Sequence, residues 1–185
     1  KAKEARVADA ILVGDKDQIM AIAAEHNLDL QGFEIIDIKD PMEASLKAVE
    51  LVSTGKAHMV MKGMVDTSVI LKAVLNKEIG LRTGNVLSHV AVFEVNGFDR
   101  LFLVTDAAMN IAPDLNTKKQ MIENAVVVAK ALDIDEPKVA LICAKEKANP
   151  AMPATMDAAA LTEMNEKGEI TGCLVGGPFA IDNAV

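Results

Sequence analysis

The stretch Ala10-Ile11-Leu12-Val13-Gly14-Asp15 decides the fold class. Its apolar run is strand-length and is stopped by Gly-Asp, and residues 17–26 then place Ile19, Ile22 and Ala23 at helical spacing. A short apolar run followed by an amphipathic segment is the repeating unit of a parallel sheet with crossover helices. Working outward, the unit recurs. The run 34–38 predicts a second strand, and Pro41 stands where proline suits a first helical turn, ahead of 44–53. The run 58–61 predicts a third strand and 67–76 the next helix. The alternation breaks once, where strand-like runs 86–95 and 100–105 flank Asn96-Gly97-Phe98-Asp99, a tight-turn signal. Such a hairpin marks an antiparallel edge or passage to a second domain, so a boundary is expected near Ser88-His89. Beyond it the helix 117–132, the strand 139–143, the helix 154–165 and the strand 173–175 restore the alternation.

Of the 185 residues 51% are apolar and mean hydropathy is +0.24, ample for a packed core. Trp and Tyr are absent and Phe is scarce, so Ala, Val, Leu, Ile and Met must build that core. A net charge of −8 argues against a nucleic-acid surface, which needs clustered cations to replace counterions. A phosphate ligand must therefore be captured locally, by a few placed cations. Cys143 and Cys173 lie in separate apolar runs without a metal-type partner at short spacing, and read as buried reduced thiols. No apolar run reaches the ~18 residues of a membrane span and no signal-peptide core opens the chain, so a cytoplasmic protein with no membrane partner is expected. The chain opens on Lys1 rather than Met, and 176–185 reads as a loop entering a helix. It is expected to be cut at both ends.

Chemistry concentrates in Met61-Lys62-Gly63-Met64-Val65-Asp66-Thr67, Gly80-Leu81-Arg82-Thr83-Gly84 and Ser88-His89. Cations, glycines and hydroxyls crowd the ends of regular elements, where an anion meets side chains and bare backbone N–H groups. Lys62-Gly63 is either a phosphate contact or an ordinary turn with a solvated lysine, and Asp66, Thr67 or Ser68 can cap the next helix. Arg82 beside Thr83 suits bidentate phosphate capture; the alternative is a surface cation after the helical stretch 72–78, with Gly80 as its stop. Ser88 offers a hydroxyl and His89 an imidazole or a hydrogen-bonded core residue, but no Gly-x-Ser-x-Gly elbow surrounds Ser88. Asp106 either orients Arg82 or a substrate group, or caps its own turn. Glu146-Lys147-Ala148-Asn149-Pro150 and Gly176-Gly177-Pro178 also place special residues after strand-like runs, and the recurrence points to a cleft. Met59, Met61 and Met64 line an acyl channel or fill core.

Taken in order, Leu12-Val13-Gly14-Asp15, Met61-Lys62-Gly63 with Thr67, residues 76–83, Ser88-His89-Val90-Ala91, Thr105-Asp106, Asn110, Glu146-Lys147 with Asn149-Pro150, Met152-Pro153-Ala154-Thr155 with Asp157-Ala158, and Gly177-Pro178 with Asp182-Asn183-Ala184 resemble the phosphate acetyl/butyryltransferase family. The butyryltransferase branch is the nearer. The resemblance implies an α/β fold of two three-layer α/β/α domains with a cleft between them, like isocitrate and isopropylmalate dehydrogenases. The domains are expected at residues 1–88 and 89–185, the second incomplete. It further implies a homodimer, no bound cofactor or metal, and reversible transfer of a butyryl, branched-chain or acetyl group between coenzyme A, as substrate, and inorganic phosphate, giving acyl phosphate. Lys62, Gly63, Thr67, Arg82, Thr83, Ser88 and Asp106 match cleft positions of the family, with Arg82 the candidate for the phosphate and Asp106 possible in catalysis. The main catalytic candidates of the family lie in a segment following the position of Val185. Lys145 departs from the motif at a usually apolar place. A decarboxylating dehydrogenase on the same fold and a non-catalytic coenzyme A or phosphate-binding scaffold are the alternatives.

Overall fold

In the computed structural model, which describes residues 2–184, Asp15 turns the first apolar run into a helix start. Strand β1 (Ile11–Gly14) ends there, and the Asp15 carboxylate accepts from the N–H groups of Asp17 and Gln18 at the head of α1 (Lys16–Glu25). Gln18 Nε2 also donates to the Asp15 carboxylate, at 3.1 Å, and so holds the cap in place. Strand β2 (Glu34–Asp37) runs parallel to β1 in the register Ile11 to Glu34. Helix α2 (Pro41–Ser53) begins with proline behind the Asp40 cap, and α3 (Thr67–Val74) packs on it. Val49, Ile70 and Ala73 are buried between these helices, with Leu46, Val60, Val65, Val74 and Leu81 against them. These elements form one compact unit, up to Gly84.

Three expectations fail here. The run 58–61 forms no strand: Val60 packs on the α2–α3 core while Met59 and Met61 are exposed. A strand exists only where its backbone groups find a partner, and the β1–β2 pair extends no ladder to this segment. The helical stretch also stops at Val74 instead of continuing to 76 or 78. Asn76 takes over, its side-chain oxygen accepting from Glu78 and Ile79 N–H, while Leu81 N–H returns to the Val74 carbonyl at 2.8 Å. Gly80 is therefore a close-approach residue, not the helix stop, because a Cβ there would run into the carbonyls of Asn76 and Val74.

The second unit starts at Asn85. Strands β3 (Ala91–Glu94) and β4 (Leu101–Val104) form an antiparallel hairpin in the register Ala91 to Val104, turned at Asn96-Gly97 with Gly97 at φ +92°. They are shorter than the apolar runs: residues 86–90 lie outside β3. Helix α4 (Leu115–Ala131) is capped by Asp114, and β5 (Lys138–Ile142), α5 (Pro153–Glu166) and β6 (Leu174–Phe179) make a parallel βαβ unit, followed by α6 (Ile181–Ala184). Ile122, Val126, Leu161, Ile170, Cys173 and Val175 form its core. The Asn165 side chain stitches it, donating to the Ile170 and Cys173 carbonyls and accepting from Val175 N–H. Overall the chain is mixed α/β, its described strands forming three two-stranded sheets.

Gly176-Gly177-Pro178 lies inside β6, not after it. Gly177 has φ +151°, and a Cβ on it would stand 2.7 Å from Leu141 Cβ of β5, so the strand continues through this sequence only because no side chain intervenes. Gly177→Ala should cost more than about 2 kcal/mol of stability, through both the backbone conformation and the overlap. Gly63→Ala, with open space around its Cβ position, should stay within about 0.5 kcal/mol. Urea midpoints at constant slope check both values.

Candidate functional site

In the first unit, Lys62 and Gly63 sit in the irregular segment that leads into α3. Lys62 Nζ folds back onto it, donating to the Val65 carbonyl at 3.2 Å and the Gly63 carbonyl at 3.5 Å. Thr67 is the first residue of α3 and is exposed. The cap residue is Asp66, but its side chain makes no capping bond, whereas Asp15, Asp40 and Asp114 all cap their helices. The first-turn N–H groups thus keep a positive end without a side-chain acceptor, beside an ammonium, a glycine and a hydroxyl. Met59, Met61 and Met64 of this segment are exposed, Met64 fully, so none of them is core filler.

Arg82 and Thr83 are exposed and leave from the other end of α3, where Leu81 is tied to Val74 and packs on the core. An eight-residue helix is about 12 Å long, so the Arg82 backbone starts roughly that far from Thr67. The structure groups Lys62, Gly63 and Thr67 at one end of α3 and Arg82 with Thr83 at the other.

In the second unit, Ser88 and Asp106 belong to one network. Residues 86–89 take no regular secondary structure, and side chains hold them instead of a strand. Gln120 Oε1 accepts from Val86 N–H at 2.9 Å, and Asn124 Nδ2 donates to the Val86 carbonyl at 3.0 Å and to Ser88 Oγ at 2.8 Å. Asn110 Nδ2 donates to the Leu87 carbonyl and to Asp106 Oδ2, which also accepts from His89 N–H at 3.3 Å. Asp106 Oδ1 accepts from Ala108 and Met109 N–H, both at 2.9 Å. Asp106 thereby caps its own turn. His89 Nδ1 and Thr105 Oγ1 are buried and have no hydrogen-bond partner among the described residues, so His89 is not a hydrogen-bonded core imidazole at that nitrogen. Gln120 and Asn124 escape a reading of motifs; the signal was two carboxamides one turn apart on a helix, beside buried Met121 and Ala125.

The remaining polar strand ends make local contacts. Asn149 N–H donates to the buried Thr155 hydroxyl, which donates onward to the Met152 carbonyl, and Asn183 donates to the Glu146 carboxylate. Lys145 is exposed and disturbs no packing. Cys173 is buried in the core, but Cys143 is not: it lies just past β5, partly exposed, with Sγ 3.5 Å from the Ala154 carbonyl. Burial pushes the Cys143 thiol up, with nearby Lys118 opposing and Asp157 adding, so it is not activated as a nucleophile. Among the described residues no group of three or more His, Cys, Asp and Glu is placed to hold a metal ion, and no helix is long and apolar enough to cross a membrane.

Burial raises the pKa of Asp106, but the N–H donors of Ala108, Met109, Asn110 and His89 outweigh it and hold the carboxyl at about 2, below the model-peptide 3.8. A depressed folded-state value stabilises the fold above the unfolded pKa, and that stability is lost as pH falls from about 4 towards 2. Discounted for partial exposure, the contribution at neutral pH is on the order of 1–2 kcal/mol. Asp106→Asn should remove it and flatten the stability profile between pH 4 and 2, measured by urea unfolding across that range.

The sequence model of the family described as phosphate acetyl/butaryl transferase matches residues 42–185. The chain is 57% identical over its whole length to the phosphate butyryltransferase of Clostridium beijerinckii and 42% to the phosphate acetyltransferase of Thermotoga maritima, spanning 61% and 63% of their lengths. A solved branched-chain phosphotransacylase from Enterococcus faecalis V583 superposes with a TM-score of 0.74 at 31% identity, over 94% of this chain and 70% of that one. The family model alone covers most of the sequence and takes in every candidate residue from Lys62 to Asp106, so the chain belongs to the phosphate acetyl/butaryl transferase family.

Proposed function

We propose that the protein carrying this chain moves a short-chain acyl group, butyryl, branched-chain or acetyl, reversibly between coenzyme A and inorganic phosphate. Membership of the family, with 57% identity along the whole chain to a phosphate butyryltransferase, is the observation that carries this reading. In this proposal a phosphate oxygen attacks the thioester carbonyl, a tetrahedral oxyanion forms, the C–S bond breaks and the coenzyme A thiolate departs to take a proton; the reverse direction starts from the thiolate. Nothing in this sequence of steps asks for an enzyme nucleophile, in keeping with an unactivated Cys143 and a buried Cys173.

Phosphate neutralisation falls to Arg82, whose planar fork suits two phosphate oxygens, with Lys62, Gly63, Thr67, Thr83 and Ser88 as further donors. The start of α3 supports an anion there, because its first-turn N–H groups have no side-chain cap and the Lys62 ammonium lies on the segment that leads into it. Asp106 is a positioning residue in this reading, its oxygens being occupied by four N–H groups. We place the general base and the oxyanion donors in the part of the relatives' length that this chain does not span. We further infer that the units are parts of two three-layer α/β/α domains of the isocitrate and isopropylmalate dehydrogenase type, with the sequence boundary between them near Ser88-His89, in a cytoplasmic homodimer.

The test is phosphate-dependent release of coenzyme A from butyryl- and acetyl-coenzyme A. Arg82→Ala should lower kcat/KM for phosphate by tens- to hundreds-fold, the ~2–4 kcal/mol of a desolvated charge-assisted contact, and Arg82→Lys should recover part of it. Unchanged phosphate kinetics in a folded Arg82→Ala protein would remove Arg82 from the site, and no coenzyme A release by the unaltered protein would remove the activity.

A further inference from the structure

We propose that Asn124 is a positioning residue that turns the Ser88 hydroxyl proton away from α4, presenting it as a hydrogen-bond donor to a phosphate oxygen. The inference rests on the reading of Ser88 as a phosphate-side residue and adds the group that sets its polarity.

The direction follows from donor and acceptor accounting. Asn124 Nδ2 lies 3.0 Å from the Val86 carbonyl oxygen and 2.8 Å from Ser88 Oγ. A carbonyl oxygen only accepts, so the amide edge that faces Val86 must be the NH2 group, and that same nitrogen faces Ser88. Both amide protons are thereby spent, one on Val86 and one on Ser88. Ser88 Oγ is an acceptor towards α4, and its own proton has to point elsewhere. Among the described residues the hydroxyl donates to none, and Ser88 is not fully buried.

The neighbouring contacts fix this arrangement. Gln120, one turn before Asn124, holds the Val86 N–H, so α4 grips Val86 by both its donor and its acceptor. On the far side Asn110 holds the Leu87 carbonyl and Asp106 the His89 N–H. In the segment 86–89 these contacts are made to backbone atoms, except at Ser88, where the side chain is held instead. A clamp that served only the backbone would need Val86, Leu87 and His89; the bond to Ser88 Oγ is additional to that role. What it does accomplish is to fix one lone pair and leave a single preoriented donor, the property that favours a developing or bound oxyanion.

Calorimetric titration of the protein with inorganic phosphate tests this, alongside thermal midpoints and the coenzyme A release assay. Ser88→Ala should weaken phosphate binding about tenfold, the loss of one hydrogen bond to a charged ligand, and should raise the KM for phosphate without raising that for acyl-coenzyme A. Ser88→Thr should keep most of the affinity. Asn124→Leu, neutral and of similar size, should weaken phosphate binding several-fold when Ser88 is present and less than about twofold in the Ser88→Ala protein, since the two act through one proton. Multiplicative effects, or unchanged phosphate affinity in Ser88→Ala, would overturn the proposal. Should Asn124→Leu not fold, Asn124→Asp takes its place: a carboxylate accepts the Ser88 proton instead of donating to it, so phosphate binding should fall several-fold when Ser88 is present and less in the Ser88→Ala protein, and unchanged affinity in Asn124→Asp would overturn the proposal. Coupled phosphate binding in a protein that releases no coenzyme A would uphold this inference while refuting the acyl-transfer reading.

Discussion

A segment outside helix and sheet must find other partners for its backbone, and residues 86–89 find them in side chains. Gln120 and Asn124 from α4, and Asp106 and Asn110 from the turn after β4, take up the Val86 N–H and carbonyl, the Leu87 carbonyl and the His89 N–H. A buried backbone group left unpaired costs about as much as a lost hydrogen bond, so these contacts are what allows the chain to run here without a sheet. They also bind distant parts of the sequence into one arrangement. Asp106 works in it only as a carboxylate, since four N–H groups point at its two oxygens.

A similar substitution of side chain for regular structure appears in the first unit, with the opposite outcome. Asp15 and Asp40 close their helix starts, whereas Asp66 leaves that of α3 open. In a chain of net charge −8 an anion gains nothing from the long-range field, and an open helix start with Lys62 beside it is the kind of local positive pole that capture requires. Exposed Met59, Met61 and Met64 border the same segment.

The alternation of apolar runs and amphipathic stretches was legible because periods of 2 and 3.6 are written in the order of side chains. The β1–α1–β2 and β5–α5–β6 units and the Asn96-Gly97 hairpin follow from it. What the pattern does not carry is pairing. Residues 58–61 are as apolar as a strand, but no ladder reaches them; Gly176-Gly177-Pro178 looks like a stop, yet β6 passes through it because Leu141 leaves room only for hydrogen at Gly177. Of the candidate site, the chemistry of Lys62, Arg82, Ser88 and Asp106 is visible as residue types. The partners of Ser88 are not, because Asn124 lies thirty-six residues away and looks like any surface carboxamide on a helix.

Amide hydrogen exchange across residues 86–89 tests the clamp most directly. The account predicts an alternating pattern at neutral pH: Val86 and His89, whose N–H groups are bonded to Gln120 and Asp106, exchange slowly, and Leu87 and Ser88 exchange fast. Uniformly fast exchange through the segment, or slow exchange confined to Leu87 and Ser88, would contradict it.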